Sequence, residues 1–285
     1  LAQQLYEGLE GGEGGTTGLI TYMRTDSTNV SELAQHEARD FILHQYGKDF
    51  LPSTPPFYKT RAVGAQEAHE AIRPTSVMRS PEKVKSFLTS EQFKLYQLIW
   101  QRFVASQMES AAFDAISVDI STVTQKHNYL WRATGSTLRF SGYLIVYVDT
   151  KDEDLKTEED EDVRIPAGLE EGQRQELVRL IPEQHFTQPP PRFTEASLVQ
   201  SLEEYGIGRP STYAPILSTI QERGYVLREN KRLIPTETGI LVNDLLVNHF
   251  PGVVDLRFTA TMESYLDQVA EGDREWHSVI GDFYR

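Results

Sequence analysis

The chain has 285 residues, with 42 acidic and 28 basic side chains and a formal net charge of −14. It contains no cysteine, which excludes disulfide bonds and cysteine-ligated zinc within these residues. No signal peptide and no long apolar run is visible, so we expect a cytoplasmic protein without a membrane-spanning helix. The length and the 39% hydrophobic content predict two or three domains with cores of their own.

Residues 1–108 are predicted to be mainly helical. Apolar spacing and capping signals indicate three helices, over residues 31–46, 80–88 and 89–108. Thr89 and Gln92 have the spacing of a capping box at the start of the third helix. The glycine-rich residues 11–15 predict a flexible loop. Because this loop precedes a strand instead of following one, it does not fit a dinucleotide-binding motif.

The strand that follows the glycines contains Tyr22, Met23 and Arg24. Alternate side chains of a strand point the same way, so the Tyr22 hydroxyl and the Arg24 guanidinium would share one face. A tyrosine has a pKa of about 10 and needs a neighbouring cation or base to act as a nucleophile at neutral pH. Arg24 would supply a planar, permanently charged group for phosphate oxygens. The pattern favours attack on a phosphate, and the alternative is a half-buried structural tyrosine beside a solvated arginine.

His69 and Arg73 form a second pair, four residues apart, in the stretch that ends at Pro74. They would lie on one face of a helix. The residue before a proline is disfavoured in the helical region, so Arg73 is expected at a frayed helix end or in a turn. In both geometries the two side chains can flank one phosphate, and His69 can donate or accept a proton near neutral pH. The alternative is a solvated helix face with a capping histidine.

Residues 109–182 are predicted to be rich in β-strands. Apolar residues at 116, 118 and 120 alternate with polar ones, and residues 129–131 and 143–147 indicate further strands. The run 151–164 contains eight acidic and three basic residues, a net charge of −5, and predicts a solvated, disordered loop. Consecutive prolines at 189–191 indicate a linker into the last region.

Residues 183–285 are predicted to contain two helices joined by a turn and then a β-hairpin, the order of elements in a winged helix. These elements are expected over residues 195–205, 210–223, 225–227 and 232–234. The start of the second helix brings backbone N–H groups together with Arg209, Ser211 and Thr212, which suits a phosphate. The alternative is a helix cap with a solvent-exposed arginine.

Three motifs together closely resemble the type IA DNA topoisomerases. They are Leu-Ile-Thr-Tyr-Met-Arg-Thr-Asp-Ser at residues 19–27, His-Glu-Ala-Ile-Arg-Pro at 69–74 and Gly-Arg-Pro-Ser-Thr at 208–212. The form of the first motif, with methionine between tyrosine and arginine, resembles the bacterial topoisomerase I branch. Phe-Thr-Ala-Thr-Met-Glu at 258–263 extends the resemblance through most of the chain, and it is weakest in the acidic run.

The resemblance implies roles for the candidate residues. Tyr22 would be the catalytic tyrosine, Arg24 its partner, and His69 the histidine that orients or protonates the cleavage site. DNA contacts are implied for several residues, namely Arg24, His69, Arg73, Arg209, Ser211, Thr212 and Arg223. No metal-ligating residue is expected in the chain.

The resemblance also implies an α+β multidomain fold, in which mainly helical winged-helix (CAP-like) domains flank a β-rich arch in a toroidal enzyme. Residues 1–108 would resemble the catalytic-tyrosine domain (domain III), 109–182 part of the arch (domain II) and 183–285 a winged-helix DNA-binding segment (domain IV). Such enzymes cut one strand through a 5′-phosphotyrosyl intermediate, pass a strand through the gap and religate. They relax negative supercoils without ATP.

In this family Mg²⁺ is bound by an acidic cluster of an upstream Toprim domain, which is missing from the sequence. We therefore expect a monomeric, nucleoid-associated fragment that needs that domain as an intramolecular partner and is inactive alone. Its substrate would be the single-stranded region of negatively supercoiled DNA, and the fragment itself would hold no cofactor.

The net charge argues against DNA binding, because nucleic-acid-binding proteins are commonly basic. Outside the acidic run a charge of −9 remains, but a DNA site needs only a few clustered arginines. Two alternatives stay open. One lies within the family, as topoisomerase III or reverse gyrase. The other is a non-catalytic winged-helix DNA-binding module in which Tyr22 is structural.

Overall fold

The computed structural model describes residues 1–12, 15–25, 27–58, 70–148, 165–166 and 168–284. The chain divides into two compact units. Unit 1 comprises Leu1–Thr21, Val30–Phe57 and Arg73–Pro189, and unit 2 comprises Tyr22–Asn29, Tyr58–Ile72 and Pro190–Arg285. Among the described residues, no helix is long and apolar enough to cross a membrane. The division into segments 1–108, 109–182 and 183–285 stays a prediction.

Unit 1 combines helices with a small hairpin and a long two-stranded ribbon. Its helices are α1 (Ala2–Glu7), α2 (Glu32–Gln45), α3 (Pro81–Val84) and α4 (Ser90–Ser106). Antiparallel pairs are formed by β1 (Leu9–Gly12) with β2 (Gly15–Thr17) and by β3 (Ala112–Val123) with β4 (Asn128–Phe140). Short 3₁₀ turns cover Lys48–Phe50, Lys85–Phe87 and Gly142–Ile145.

The core of unit 1 lies where α2 meets α4. Helix α4 starts at the predicted capping box, in which Thr89 and Gln92 exchange side-chain to backbone hydrogen bonds. The rings of Phe41 in α2 and Trp100 in α4 meet edge to face, with centroids 5.5 Å apart. Residues buried at helical spacing complete the core, with Ala34, Ala38 and Ile42 in α2 and Tyr96, Trp100, Phe103 and Val104 in α4.

Two aromatic side chains of α4 tie the helix to the loop before α3. The Tyr96 hydroxyl donates to the carbonyl of Arg79 at 2.6 Å, and Trp100 Nε1 donates to the carbonyl of Val77 at 3.0 Å. Burial raises the pKa of Tyr96, so its phenol stays protonated and remains a donor. Because a buried carbonyl without a donor is costly, these bonds specify the path of the loop.

The glycine-rich stretch was expected to be a loop, and that prediction is wrong for its described residues. Gly11, Gly12 and Gly15 belong to strands β1 and β2, while residues 13 and 14 lie outside the described part. Strand pairing uses backbone groups alone, so glycines can take part in it. Leu9 pairs with Thr17 and Gly12 pairs with Gly15.

The other expected elements of unit 1 are confirmed in part. The helices over 31–46 and 89–108 are present. The strands at 116–120 and 129–131 are part of the β3–β4 ribbon, the second at the end next to its turn. The helix expected over 80–88 ends at Val84 and continues as a 3₁₀ turn, because the chain must become extended again at the cap of α4. The acidic run 151–164 lies outside the described residues.

The prediction of a strand over residues 143–147 is wrong, because the structure has a 3₁₀ turn at Gly142–Ile145. Gly142 has a φ of 46°, and a Cβ atom there would lie 2.5 Å from the backbone of Ser110. The Tyr143 N–H donates to the carbonyl of Glu109 at 3.0 Å. The close approach of two backbones therefore turns the chain where its apolar composition favours a strand.

Unit 2 contains the predicted pair of helices and the hairpin, followed by further helices. Its elements are α5 (Glu195–Glu204), α6 (Tyr213–Glu222), β5 (Val226–Glu229), β6 (Arg232–Pro235), α7 (Glu237–His249), α8 (Pro251–Val254), α9 (Leu256–Glu271) and α10 (Trp276–Phe283). The hairpin turns at Asn230 and Lys231, whose φ angles of 48° and 64° match the twist of the strands.

We predict that Tyr96→Phe lowers the free energy of unfolding of the chain by about 1–2 kcal/mol, because the carbonyl of Arg79 loses its donor in a partly buried setting. Urea unfolding followed by circular dichroism measures the change. Tyr129→Phe is the control, because Tyr129 lies half exposed on the ribbon and should change stability little. Equal effects of the two substitutions would contradict the role given to the Tyr96 hydrogen bond.

Candidate functional site

The chain leading to Tyr22 is fixed by pairing between residues 18–21 and residues 73–75. The Thr21 N–H donates to the carbonyl of Arg73 at 2.9 Å, and the Arg73 N–H donates back to Thr21 Oγ1 at 2.9 Å. The Thr75 N–H donates to the carbonyl of Leu19 at 2.9 Å. Ile20, which pairs with Pro74, is 1% exposed. The residue before Tyr22 is therefore held by its backbone, its side chain and a buried neighbour.

Tyr22 and Arg24 lie in an irregular segment, so the predicted strand is wrong here. The described residues 21–25 form neither helix nor strand, because the pairing ends at Thr21. The argument that alternate strand positions share a face does not apply to these two side chains. Tyr22 is 49% exposed and Arg24 is half-buried, so the phenol can be reached by a reactant from solution.

Beyond Tyr22 the segment is held within unit 2. The Thr28 hydroxyl donates to the carbonyl of Tyr58 at 3.1 Å, and the Ala71 N–H donates to the carbonyl of Asn29 at 2.7 Å. Ser27 is buried, and its Oγ accepts from the Asn29 N–H at 3.2 Å. The end of the segment is thus tied to Tyr58, which precedes the second motif, and to Ala71 within that motif.

The second motif is described only from residue 70 onward, so His69 lies outside the described residues. Residues 70–73 are not helical, which matches the expectation of a turn before Pro74 and not that of a helix face. In unit 1 the Arg73 guanidinium donates to the carbonyl of Pro74 at 2.9 Å and to Ser31 Oγ at 3.4 Å. Arg73 therefore serves the local fold through both its backbone and its side chain.

The turn between α5 and α6, residues 206–212, is called here the Arg209 loop. Helix α6 was expected to start at residue 210, but it starts later. The Arg209 N–H donates to Thr212 Oγ1 and the Thr212 N–H donates to the carbonyl of Arg209, both at 2.8 Å. These bonds close a turn over Pro210 and Ser211, and α6 then begins at Tyr213. Ser211 and Thr212 are exposed at the surface of the loop.

The Arg209 guanidinium is paired with two carboxylates of helix α9. Its Nη2 donates to Asp267 Oδ2 at 2.6 Å, and its Nη1 lies 3.5 Å from Glu263 Oε2. Nη1 also donates to the carbonyl of Gly208 at 2.8 Å. The three charged side chains are about one third exposed or less, at 31% for Arg209, 37% for Asp267 and 24% for Glu263. The loop therefore presents an arginine whose positive charge is exceeded by the two carboxylates beside it.

Tyr213 packs beneath this loop. Burial raises its pKa, and nearby Glu203 raises it further, while Arg209 acts in the opposite direction. Its ring crowds Gly208, where a Cβ atom would lie 3.0 Å from Tyr213 Cε1. Gly208 also has a φ of 80°, which favours glycine for a second reason.

The candidate DNA-binding residues are only partly brought together. Arg209, Ser211 and Thr212 share one loop at the start of α6, whereas Arg223 lies at the other end of that helix, about 15 Å away along its axis. Sequence reasoning missed Glu263 and Asp267. Their spacing of four on one helix was visible, but nothing in the sequence indicated that Arg209 would lie against them.

The acidic residues of the described part do not form a site for Mg²⁺. Within the described ranges, no group of three or more histidine, aspartate or glutamate side chains could hold a metal ion. Glu263 and Asp267, the acidic pair at the site, face a guanidinium, which would repel a cation. The described residues do not fit a bound Mg²⁺.

Comparison with known proteins agrees with the resemblance seen in the sequence. A family model described as DNA topoisomerase matches residues 1–281. Among solved structures, the chain is similar to full-length topoisomerase I from Thermotoga maritima, with 38% sequence identity and a TM-score of 0.77. The match covers 99% of this chain and 44% of the other, so the chain spans less than half the length of that relative.

We predict that Gly208→Ala destabilises unit 2 by about 2–3 kcal/mol, because it combines a left-handed backbone with a clash against Tyr213. Gly224→Ala is the matched control. Gly224 has a φ of 66° but open space around it, so its substitution should cost only about 1 kcal/mol. Thermal unfolding followed by circular dichroism compares the two, and equal midpoints would show that the packing of Tyr213 does not constrain the loop.

Proposed function

The chain belongs to the DNA topoisomerase family, in its bacterial type IA branch, and on this basis we propose that it forms the strand-cleaving part of an enzyme that relaxes negatively supercoiled DNA without ATP. The observation that carries the proposal is the half-exposed Tyr22, which directly follows a backbone pairing that fixes Thr21. Such a tyrosine is accessible to a DNA strand while the chain before it is held in place.

The proposed chemistry is a transesterification at a backbone phosphate. The Tyr22 oxygen forms a bond to phosphorus, the bond to the 3′ oxygen of the preceding nucleotide breaks, and the phenol proton ends on that oxygen. One phosphodiester replaces another, so the reaction needs no ATP and can reverse. Arg24 would stabilise the charge on the phosphate, and His69 would orient the cleavage site or supply the proton.

Strand binding is proposed for the Arg209 loop and for two arginines outside it. Arg209, Ser211 and Thr212 would contact the backbone of a single strand, with further contacts from Arg73 and Arg223. Contacts of this kind fix the register of the strand and carry little sequence information. The two helices and hairpin of unit 2 have the element order of a winged helix, which supports a DNA-binding role for this part.

The remaining parts of the proposal concern the longer protein. Mg²⁺ would bind to an upstream Toprim domain, which acts as an intramolecular partner. We expect the protein to be a monomer that is cytoplasmic and associated with the nucleoid. Residues 1–108, 109–182 and 183–285 are assigned to the catalytic-tyrosine domain, the arch and the winged-helix segment. Without the Toprim domain the chain should bind DNA but not relax it.

The test is relaxation of negatively supercoiled plasmid by the full-length protein, with Mg²⁺ and without ATP. We predict that Tyr22→Phe lowers the rate by about 10⁴-fold or more while binding of a single strand is retained, because only the nucleophilic oxygen is lost. Tyr129→Phe, on the exposed ribbon, should leave the rate unchanged. Full activity in Tyr22→Phe would instead favour a non-catalytic DNA-binding module.

A further inference from the structure

The charge around Arg209 is unusual for a phosphate-binding residue. The guanidinium contacts Asp267 at 2.6 Å and Glu263 at 3.5 Å, so the three side chains, called here the Arg209 cluster, carry a net charge of −1. A carboxylate binds a guanidinium with the same charge-assisted N–H···O geometry as a phosphate does. In the free protein Asp267 therefore occupies a donor that a strand phosphate would use, and Glu263 adds a second negative charge 3.5 Å from the guanidinium.

We propose that Glu263 and Asp267 set the affinity of the strand site by competing with DNA phosphates for Arg209. The proposal depends on the strand-binding role of the Arg209 loop given above. A phosphate that reaches Arg209 must displace the carboxylates and is repelled by their charge. The contact is therefore weaker and more easily reversed than one made by an unpaired arginine, which suits a site that must release its strand.

The loop allows this exchange without unfolding. The backbone of the Arg209 loop is closed by its own hydrogen bonds to Thr212 and supported by Tyr213, and these contacts do not involve the carboxylates of α9. The Arg209 side chain can therefore change partner by rotation about its own bonds. Glu263 and Asp267 stay on one face of α9, four residues apart, whether or not they hold the guanidinium.

The exchange has a distinct salt dependence. A phosphate contact on a single strand normally releases counterions and contributes about −0.7 to the slope of log Kobs against log salt concentration. When a carboxylate is displaced at the same time, it attracts a cation from solution and offsets that release. Arg209 should therefore contribute little to the slope in the natural chain and more when the competing charge is removed.

The experiment is a fluorescence anisotropy titration of the chain with a labelled oligothymidylate of about 16 nucleotides, over about 50–300 mM KCl. We predict that Asp267→Asn binds about two- to fivefold more tightly at low salt, with a slope steeper by up to about 0.7. Glu271→Gln is the matched control, because it removes the same charge one turn further along α9. It should change neither quantity by as much.

A second comparison separates competition at Arg209 from a general effect of charge. In the Arg209→Ala background, Asp267→Asn should give no gain, because the contested donor is absent. Unchanged or weaker binding by Asp267→Asn, an equal gain from Glu271→Gln, or a gain that persists without Arg209 would overturn the proposal. Glu263→Gln carries the same test if Asp267→Asn fails to fold. If the natural chain does not bind the oligonucleotide at low salt, the proposed strand-binding role of the Arg209 loop is wrong, and the proposed competition is wrong as well.

Discussion

The pairing of residues 18–21 with residues 73–75 is the constraint on which the candidate site depends. Thr21 and Arg73 are 52 positions apart in the sequence, yet each bonds to the other through backbone groups and the Thr21 hydroxyl. Ile20 and Pro74 are buried at this pairing, so breaking it would expose apolar surface and leave polar groups without partners. The end of the segment before Tyr22 and the second motif are joined by these hydrogen bonds, which fix the chain as far as Thr21.

The attraction of the Arg209 loop for a phosphate depends on the charged neighbours of Arg209 more than on the total charge of the chain. A chain with a net charge of −14 repels DNA over most of its surface, so binding has to come from a few arginines whose neighbours permit it. Arg209 has two acidic neighbours on α9, which hold it in place and lower its attraction for phosphate at the same time. Under the proposed function a strand is held, cut and released, and moderate affinity at such a contact suits that cycle better than the strongest possible binding.

Local signals predicted a good part of the fold. The capping box at Thr89, the ends of α5 and the β5–β6 hairpin depend on residues close together in the sequence, and these predictions are confirmed. Predictions failed where distant contacts decide the outcome. Gly142 lies against the backbone of Ser110, so an apolar run with strand composition becomes a 3₁₀ turn. The carboxylates that pair with Arg209 lie on helix α9. Asp267 is 58 positions away from Arg209 in the sequence, and no local spacing predicts a contact over that separation. The motifs identified the family, but the partner of their arginine is visible only in three dimensions.

If Tyr22 is the nucleophile, its oxygen becomes covalently joined to DNA, and mass mapping of the attached nucleotide detects that bond. The full-length protein is incubated with a single-stranded oligonucleotide and Mg²⁺, quenched by denaturation, and digested with protease and nuclease. We expect one modified peptide, containing residues 19–24, with a nucleotide linked through its 5′ phosphate to Tyr22. Attachment at another residue, or linkage through a 3′ phosphate, would contradict it.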